Sequence, residues 1–314
     1  MRHLCDADVE ALLPPPAEAV RLVHEALVAL SRGEAEVPAK PAVHAAGGAF
    51  ANAMPAAYPA RNLLGCKWIS IFPENPSQGL PTASGLMVVN DAQTGVPRAV
   101  MSAAALTAAR TAAVSGACIA ALASPDASVA FTGAGVQARS HLRVLAALGH
   151  RDVMVYARRQ EAREGLLAWA AEHVPQVGVS VTGDVRTAVE GRPVVITALS
   201  IGLSRAELAP EWIAGDALVL PLDYASSVGP DLAGGALVAA DHLPQFEAVR
   251  AAGTLGDYPQ ASRWTGQLLE GGRPDGRVVC QNLGNGLSDL VVAAAVVDSA
   301  EEQGVGQLLS PGPA

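Results

Sequence analysis

The stretch Val129-Ala130-Phe131-Thr132-Gly133-Ala134-Gly135-Val136-Gln137-Ala138 decides the fold. Its first four residues predict a short buried strand, and the residues after the second glycine predict the start of a helix. The order Gly-x-Gly-x-x-Ala is typical of a turn that binds the pyrophosphate of a dinucleotide. Its first glycine permits a tight bend, its second admits phosphate to bare backbone, and the small Ala138 lets helix and strand pack closely. We therefore expect cofactor contacts from Gly133, Ala134, Gly135, Val136 and Gln137; the alternative is a purely structural glycine turn.

The sequence around this turn alternates between predicted strands and helices, beginning after Pro125. This rhythm predicts a parallel sheet with helices on both faces, which is the setting in which such a turn binds a nucleotide. The strands are expected at Val129–Thr132, Val153–Tyr156, Val177–Val181, Val194–Leu199, Ala217–Leu222 and Leu237–Ala240, and the helices at Gln137–Leu148, Ala162–His173 and Asp184–Val189.

The rest of the chain has a different pattern. A helical pattern over residues 6–31 is interrupted by three prolines, and the Gly- and Pro-punctuated stretch from there to Pro59 predicts a loop. Strands are expected at Leu63–Phe72, Gly85–Asn90 and Pro97–Met101, and helices at Thr107–Leu122 and Ser288–Glu301. We therefore expect an α/β protein with a Rossmann-type domain over residues 124–283. A second, α+β domain is expected to combine residues 1–123 and 284–314, the last helix packing back on the first part, with a disordered tail from Ser310.

Charge and composition exclude several classes of protein. A net charge of −9 does not suit a nucleic-acid binder, which needs a basic face to neutralise phosphates. The apolar run Ala103–Ala123 is rich in alanine and contains Arg110, so a buried helix explains it better than a membrane span. The N-terminus lacks the apolar run of a signal peptide. We expect a soluble cytoplasmic protein that binds no nucleic acid, membrane or metal, since its cysteines have no ligand spacing: Cys5, Cys66, Cys118 and Cys280.

The residues at the end of the second Rossmann strand determine whether the site binds the ribose 2′-hydroxyl of NAD or the 2′-phosphate of NADP. An NAD enzyme usually carries a carboxylate there for the 2′-hydroxyl, whereas Val155-Tyr156-Ala157-Arg158-Arg159 has two arginines and no carboxylate. Because Arg158 and Arg159 suit a 2′-phosphate, we favour NADP(H) over NAD(H). The alternative is a pair of ordinary solvated arginines.

Two cations stand in otherwise apolar segments of the N-terminal part. They are Lys67, within Leu64–Ile71, and Arg110, within Leu106–Ala113. A buried cation without a partner is costly, so each needs an anion from the protein or from a ligand, and together they would clamp one carboxylate. The alternatives are a solvated strand edge for Lys67 and a structural ion pair for Arg110.

A carboxylate, Asp223, closes the predicted strand Ala217–Leu222. The carboxyl ends of parallel strands are where folds of this class bind ligands, so Asp223 is a candidate general acid–base. The alternative is an aspartate that caps a helix or stabilises a turn.

Taken together, these segments resemble the ornithine cyclodeaminase/μ-crystallin family. The likeness extends from about residue 20 to about residue 300 and is weaker after residue 220. The matching pieces are Met54–Ala56, Gly65–Ser70, Phe72–Asn75, Gly79–Gly85, Asp91–Gly95, Leu106–Ala113 and Gly133–Arg139.

The resemblance implies a substrate and dimerisation domain beside the Rossmann domain, and a homodimer. It implies that Lys67 and Arg110 hold the carboxylate of a small amino or imino acid, with Thr82 nearby. It also implies that Asp223 handles the reacting nitrogen or water, so Asp223 and Lys67 are the expected catalytic residues. We further assign Lys40, Asn52 and Met54 to the substrate, and Thr111, Thr197 and Ala198 to the cofactor.

This chain departs from the family pattern at four places. Lys40 stands where many members carry an arginine, and lysine keeps the charge but loses the bidentate fork. Asn52 stands where the cyclodeaminase pattern has a glutamate near the substrate amine. The residues after Asp223 are Tyr224–Val228 instead of a basic–acidic pair, and Gln281–Gly284 replaces a Phe-x-Ser-x-Gly pattern.

These features leave three functions open. The family likeness favours a cyclodeaminase that converts an amino acid such as ornithine to a cyclic product such as proline with loss of ammonia. Asn52 and the arginines at the ribose position favour an NADPH-dependent reductase of a ketimine such as pyrroline-2-carboxylate, or a related alanine-dehydrogenase-like oxidoreductase. Either reaction needs a clamp that orients the α-carbon against the nicotinamide. The third is a crystallin-like ligand-binding protein with little catalysis.

Overall fold

The computed structural model describes residues 1–200 and 206–309. The chain divides into two compact units: unit 1 (Met1–Arg110 with Asn285–Ala314) and unit 2 (Thr111–Gly284). The first boundary lies after Arg110 rather than at the expected residue 123, because one continuous helix, Ala104–Leu122, contributes to both units. The tail from Ser310, for which the sequence predicts disorder, lies outside the described residues.

The described helices and strands follow one another in three blocks. The first contains β1 (Arg2–Leu4), α1 (Asp6–Leu12), α2 (Pro16–Ser31), β2 (Ala42–His44), β3 (Phe50–Tyr58), β4 (Leu63–Ile71), β5 (Ala83–Asp91), β6 (Pro97–Ser102) and α3 (Ala104–Leu122). The second contains β7 (Val129–Thr132), α4 (Val136–Ala147), β8 (Asp152–Tyr156), α5 (Gln160–His173), β9 (Gly178–Thr182), α6 (Val185–Val189), β10 (Val194–Thr197), β11 (Leu218–Pro221), α7 (Pro230–Gly234), β12 (Leu237–Ala240), α8 (Leu243–Ala251), β13 (Arg263–Trp264), α9 (Thr265–Gly271) and β14 (Val278–Gln281). The third contains α10 (Gly286–Gln303) and β15 (Gln307–Leu308).

Unit 1 is built on a mostly antiparallel sheet with the strand order β15-β1-β6-β5-β4-β3-β2 over the described residues. Helix α10 covers one face by packing on β3, β4 and β5, and α2 packs against α10. One buried row on this covered face joins Met54, Lys67, Met87 and Met101 in register. Lys67 therefore occupies a core position in a central strand, and the alternative of a solvated strand edge is wrong.

The stretch before Pro59, which the sequence predicts as a loop, instead forms β2 and β3. Strand β3 is rich in alanine, has no β-branched residue and contains Pro55, so it carries little local strand signal. Proline removes a ladder donor, but β2 pairs only with Phe50–Asn52 and so requires no donor from Pro55. Pairing with β4 over all nine residues, rather than local propensity, makes this segment a strand.

Unit 2 contains a parallel sheet with the order β13-β12-β14-β11-β10-β7-β8-β9 over the described residues. The strand order reverses at β7, and such a switch point opens a crevice at the carboxyl ends of the strands. Every residue of β7, β10, β11 and β14 is buried, which explains why these strands are mostly apolar instead of alternating, although β7, β10 and β14 each end in a polar residue. This topology confirms the predicted α/β fold with a Rossmann-type domain.

Helix α3 begins at Ala104, three residues before the expected start. By length and composition alone it is the one described helix that could cross a membrane. However, 67% of its most apolar window is buried within the fold, as in the core helix of a soluble protein, so the resemblance to a membrane span is weak.

Candidate active site

The glycine turn of unit 2 lies between the end of β7 and the start of α4. Gly133 has φ of +104°, and its N–H donates to the carbonyl of Tyr156 at 2.8 Å. A Cβ atom built on Gly133 would meet the carbonyl oxygen of Ala198 at 2.6 Å. Only glycine fits here, because both the backbone angle and the neighbouring strand exclude a side chain.

The second half of the turn leaves open space in front of a helix N-terminus. Gly135 is the N-cap of α4, and a Cβ atom there would meet nothing within 4 Å. Val136 is exposed, whereas Ala138 is buried and packs the helix onto the sheet. Free space, bare backbone and unpaired helix N–H groups form a cradle for pyrophosphate, so these residues fit a dinucleotide.

Two arginines follow β8, at the position that faces the adenosine ribose in this fold. Arg158 and Arg159 are both exposed, and Arg159 is the N-cap of α5. The guanidinium of Arg163 donates to the carbonyls of Ala157 and Arg158, at 2.7 and 2.9 Å. Arg163 therefore holds the backbone of this loop while the two exposed guanidinium groups extend from it.

Asp223, just after β11, is 1% exposed. Its Oδ1 accepts a hydrogen bond from the Thr197 hydroxyl at 2.8 Å, and its Oδ2 accepts from the Leu199 N–H at 2.8 Å and the Ser227 hydroxyl at 2.5 Å. Burial raises the pKa of the Asp223 carboxyl, although these three neutral donors oppose the shift. A carboxyl with a raised pKa is suited to hold and transfer a proton.

The other expected cofactor residues lie at three places in unit 2. Thr197 ends β10 with its hydroxyl bound to Asp223, so it supports that carboxylate directly. Ala198 follows it, and its N–H donates to the carbonyl of Thr132 at 3.0 Å beside the glycine turn. Gln137 is half-buried in the first turn of α4, and Thr111 lies in α3 as the first residue of unit 2.

In unit 1, the structure places Lys67 and Arg110 at one carboxylate, that of Asp289. The Nζ of Lys67 lies 2.5 Å from Oδ1 of Asp289 and 3.4 Å from the hydroxyl of Thr107. Lys67 and Asp289 are both 0% exposed. Burial lowers the pKa of Lys67 to about 7; the charge of Arg110 adds to the shift, and that of Asp289 opposes it.

Arg110 approaches the same oxygen from α3. Its Nε lies 2.9 Å from Oδ1 of Asp289, an ion-pair contact in which the N–H does not point at the oxygen well enough for a hydrogen bond. The expected alternative of an ion pair for Arg110 is therefore realised. Because Lys67 shares the oxygen, the pairing leaves two cations at a single carboxylate.

Three of the remaining expected substrate residues lie in β3 or just before β2. Asn52 and Met54 lie on the covered face of β3, where Met54 is directly opposite Lys67. Lys40 is half-buried just before β2, close enough for its charge to lower the pKa of Lys67 further. We define the cation cluster as Lys67, Arg110 and Asp289; Met54 and Lys40 are its neighbours, and Asn52 lies two residues from Met54 on the same strand.

Thr82 is not brought to the cation cluster. It is exposed just before β5, and its carbonyl accepts a hydrogen bond from the N–H of Phe72 at 2.8 Å. Phe72 lies five residues beyond Lys67, which is about 16 Å along a strand. The structure therefore gives no contact between Thr82 and the expected carboxylate site.

Asp289 is the site residue that the sequence analysis missed. It lies in the first turn of α10 and is the one acidic residue in the apolar run Gly286–Val297. The same signal singled out Arg110: a lone charge among apolar residues needs a partner of opposite sign. Among the described residues, no group of three or more histidine, cysteine, aspartate or glutamate side chains is arranged to hold a metal ion.

The chain is similar to several known proteins in sequence and in structure. It is 30% identical to the nodulation efficiency protein NfeD of Rhizobium meliloti over 321 residues, which covers 99% of this chain and 98% of that protein. It is 34% identical to delta(1)-pyrroline-2-carboxylate reductase 2 of Burkholderia ambifaria over 172 residues, covering 54% and 53%. The structure of an archaeal alanine dehydrogenase dimer with bound NAD superimposes with a TM-score of 0.86 at 26% identity, covering 99% of both chains.

The sequence profile of the ornithine cyclodeaminase/mu-crystallin family matches residues 3–253. This match includes the glycine turn, the two cations and Asp223, and the full-length relative extends the likeness over α10. The chain therefore belongs to the ornithine cyclodeaminase/mu-crystallin family of NAD(P)-dependent enzymes.

Proposed function

We propose that this protein is a cytoplasmic NADPH-dependent reductase of a small imino acid whose C=N carbon bears a carboxylate. In this reaction the carbon gains a hydride, the nitrogen gains a proton, and an α-amino acid results. The bound nicotinamide nucleotide supplies the hydride. The residues of the chain bind the carboxylate, hold the nucleotide and provide the proton.

The cation cluster is the observation that carries the proposal. Lys67 and Arg110 contribute two positive charges, and Asp289 contributes one negative charge, so the ionised cluster has a net charge of +1. A buried net charge is costly unless an anion completes it. One substrate carboxylate neutralises this charge, and the buried walls strengthen the attraction.

The neighbours of the cluster favour an imino acid over a diamino acid. Asn52 is a neutral amide on the covered face of β3, two residues from Met54. A substrate with a side-chain ammonium, such as ornithine, would require an anion to bind it, and an amide offers only a dipole. A cyclic ketimine of the pyrroline-2-carboxylate type has no such second cation. The similarity to a reductase of that compound supports the same choice.

In unit 2, Gly133 and Gly135 would hold the pyrophosphate on bare backbone, and Arg158 with Arg159 would bind a 2′-phosphate. Asp223 would donate the proton to the reacting nitrogen. Its raised pKa favours a carboxyl that carries a proton at the start of the reaction. The Thr197 and Ser227 hydroxyls would then stabilise the carboxylate that remains.

A cyclodeaminase is the second candidate, and the family profile favours it. The same cations would hold the carboxylate of a diamino acid, and Asp223 would move protons to and from the nitrogen. The decisive difference is the fate of the cofactor, because a cyclodeaminase regenerates it in every turnover whereas a reductase consumes it.

The experiment uses purified protein in two reactions: NADPH with pyrroline-2-carboxylate, and NAD+ with L-ornithine. Absorbance at the nicotinamide band and released ammonia are followed in both. We expect stoichiometric loss of NADPH in the first reaction. Ammonia release without net change of the cofactor in the second reaction would replace the proposal with a cyclodeaminase. Nucleotide binding without turnover in either would indicate a ligand-binding protein.

We also propose that the protein is a homodimer that buries the outer face of the unit 1 sheet. Helix α10 covers the opposite face, whereas the outer face presents apolar side chains of β4 and β5. Trp68 is 47% exposed and lies in register with Leu86, which is 50% exposed, and Leu64 continues the patch. An apolar sheet face of this kind is typical of an obligate interface, and the similar alanine dehydrogenase is a dimer.

A charge placed in the patch tests the dimer. Trp68→Glu is expected to yield monomers in sedimentation equilibrium at micromolar concentration, because two buried carboxylates would face an apolar surface. Leu167→Glu, on the surface of α5 in unit 2, is the control and should leave the dimer intact. A wild-type protein that sediments as a monomer would contradict the proposal.

A further inference from the structure

We propose that Asp289 is a positioning residue that fixes the orientation of Lys67 and Arg110 and keeps Lys67 charged for carboxylate binding. The inference deepens the proposed function, because it assigns to the C-terminal helix the control of the substrate-binding cations. Asp289 itself would not contact the substrate carboxylate, since like charges repel; it would act through the two cations.

The geometry of the contacts supports this role. Lys67 from β4 and Arg110 from α3 both approach Oδ1 of Asp289, at 2.5 and 2.9 Å. A shared oxygen holds the two cationic groups close together despite their mutual repulsion. The two cations are therefore placed to bind one ligand together. Two cations with separate partners would not be placed in this way.

The start of α10 is fixed against β3, so the position of Asp289 is fixed as well. A Cβ atom on Gly286 would meet the carbonyl oxygens of Met54 and Pro55 at 2.6 and 2.8 Å, so helix and strand are in close backbone contact. Asn285 caps the helix by accepting the N–H of Ser288 at 2.9 Å. This anchored first turn gives Asp289 little freedom to move relative to β3 and β4.

The electrostatics show why Lys67 needs this carboxylate. The groups that face its ammonium are Asp289 of α10, Arg110 and Thr107 of α3, and Lys40 before β2. Burial, Arg110 and Lys40 all favour loss of the proton, and Asp289 is the one of these charges that favours its retention. Without Asp289, the pKa of Lys67 would fall further, so the site would retain the charge of Arg110 and lose part of the charge of Lys67.

The composition of the chain makes a direct test possible. Of 21 lysines and arginines, only two are lysines, Lys40 and Lys67. Protein produced with ¹³Cε-labelled lysine therefore gives two side-chain signals, which Lys40→Arg assigns. The shift of each signal with pH reports the protonation of that lysine alone, with no substrate and no turnover.

We expect the Lys67 signal of the wild type to titrate near neutral pH. In Asp289→Asn, which preserves shape but removes the charge, the midpoint should fall by about one pH unit or more. Asp289→Glu should restore it to within about half a unit. Asp298→Asn is the matched control on the same helix; its partner is Arg98, at 2.8 Å, and it should leave the Lys67 titration unchanged.

Arg110→Gln provides a second, opposite test that does not alter Asp289. It removes a like charge and leaves the carboxylate to Lys67 alone, so the midpoint should rise. A folded Asp289→Asn protein with an unchanged Lys67 midpoint, or an Arg110→Gln protein with a lowered one, would overturn the inference. Folding is monitored by circular dichroism and thermal unfolding, which report on both units. These titrations need no reaction, so a protein that fails to reduce imino acids would refute the proposed function without deciding the role of Asp289.

Discussion

The glycine turn of unit 2 and the cation cluster of unit 1 are built by different means. The turn uses backbone: a glycine with φ of +104°, a second glycine with open space and the N-terminus of α4, all within ten consecutive residues. The cluster uses side chains from β4, α3 and α10, and residues 67 and 289 are 222 positions apart. A backbone site is specified locally, whereas a charge cluster exists only after distant elements have packed.

This difference predicts how each region fails when it is altered. The turn requires a residue without a side chain at Gly133, so adding a methyl group there should disrupt it. The cluster depends on a balance of charges, so removing one ion should leave the remaining buried charges unbalanced. Four changes, described from the largest expected effect to the smallest, would test this contrast.

Lys67→Met is expected to have the largest effect. It removes one of the two cations while roughly filling the same volume, so kcat/KM for the imino acid should fall about 10²- to 10³-fold. NADPH affinity, measured by fluorescence titration, should stay within about twofold, because the change lies in unit 1. Arg98→Met removes a cation from a surface pair with Asp298 and should leave both quantities nearly unchanged. A comparable loss of kcat/KM in both variants would contradict a specific role of the cluster in substrate binding.

Gly133→Ala should weaken the nucleotide site about 10- to 100-fold. The new Cβ atom meets the Ala198 carbonyl at 2.6 Å and the backbone angle is unfavourable for alanine, so the turn must shift away from its phosphate-binding shape. Calorimetric titration with NADPH measures the loss. The control is Gly165→Ala on α5, which has open space and an ordinary φ and should be neutral or slightly stabilising. Equal nucleotide affinity in the Gly133→Ala protein would refute the assigned role of the turn.

Arg158→Asp should discriminate between the two nucleotides. Loss of a cation from a 2′-phosphate site should weaken NADPH binding about tenfold and change NADH binding by no more than about twofold. The dissociation constants of both nucleotides are compared with those of Arg186→Asp, a variant of an exposed arginine on α6 that pairs with Glu190. If both nucleotides weaken equally, the preference for NADP(H) is wrong.

A change of pH should have the smallest effect and should act on the cluster through the charge of Lys67. Burial lowers the pKa of Lys67 to about 7, so its positive charge is present below that pH and is lost as the pH rises through it. Affinity for pyrrole-2-carboxylate, a non-reducible carboxylate, should therefore fall about threefold to tenfold between pH 6.5 and 8. The Lys67→Met protein should lack this dependence. A wild-type affinity that rises with pH would contradict the assignment of the charge to Lys67.

The sequence predicted much of the fold and two of the three residues of the cation cluster. Strands β7, β10 and β11 are mostly apolar, so their burial could be inferred from composition. Lys67 and Arg110 were identified as cations in need of a partner, but the partner was not. Thr82 was assigned to the substrate on the strength of the resemblance, and the structure leaves it exposed and away from Lys67. Strand β3 was missed, because its alanines and proline become a strand only through pairing with β4.

By itself, the sequence determined the glycine turn, the parallel sheet around it and the presence of two cations in apolar segments. Each of these features depends on residues that are close together in the chain. Only the tertiary structure decided that Asp289 joins those cations. Burial of an ion is a property of the packed whole, and a carboxylate on the last helix becomes the partner of Lys67 only once α10 has docked on β3 and β4.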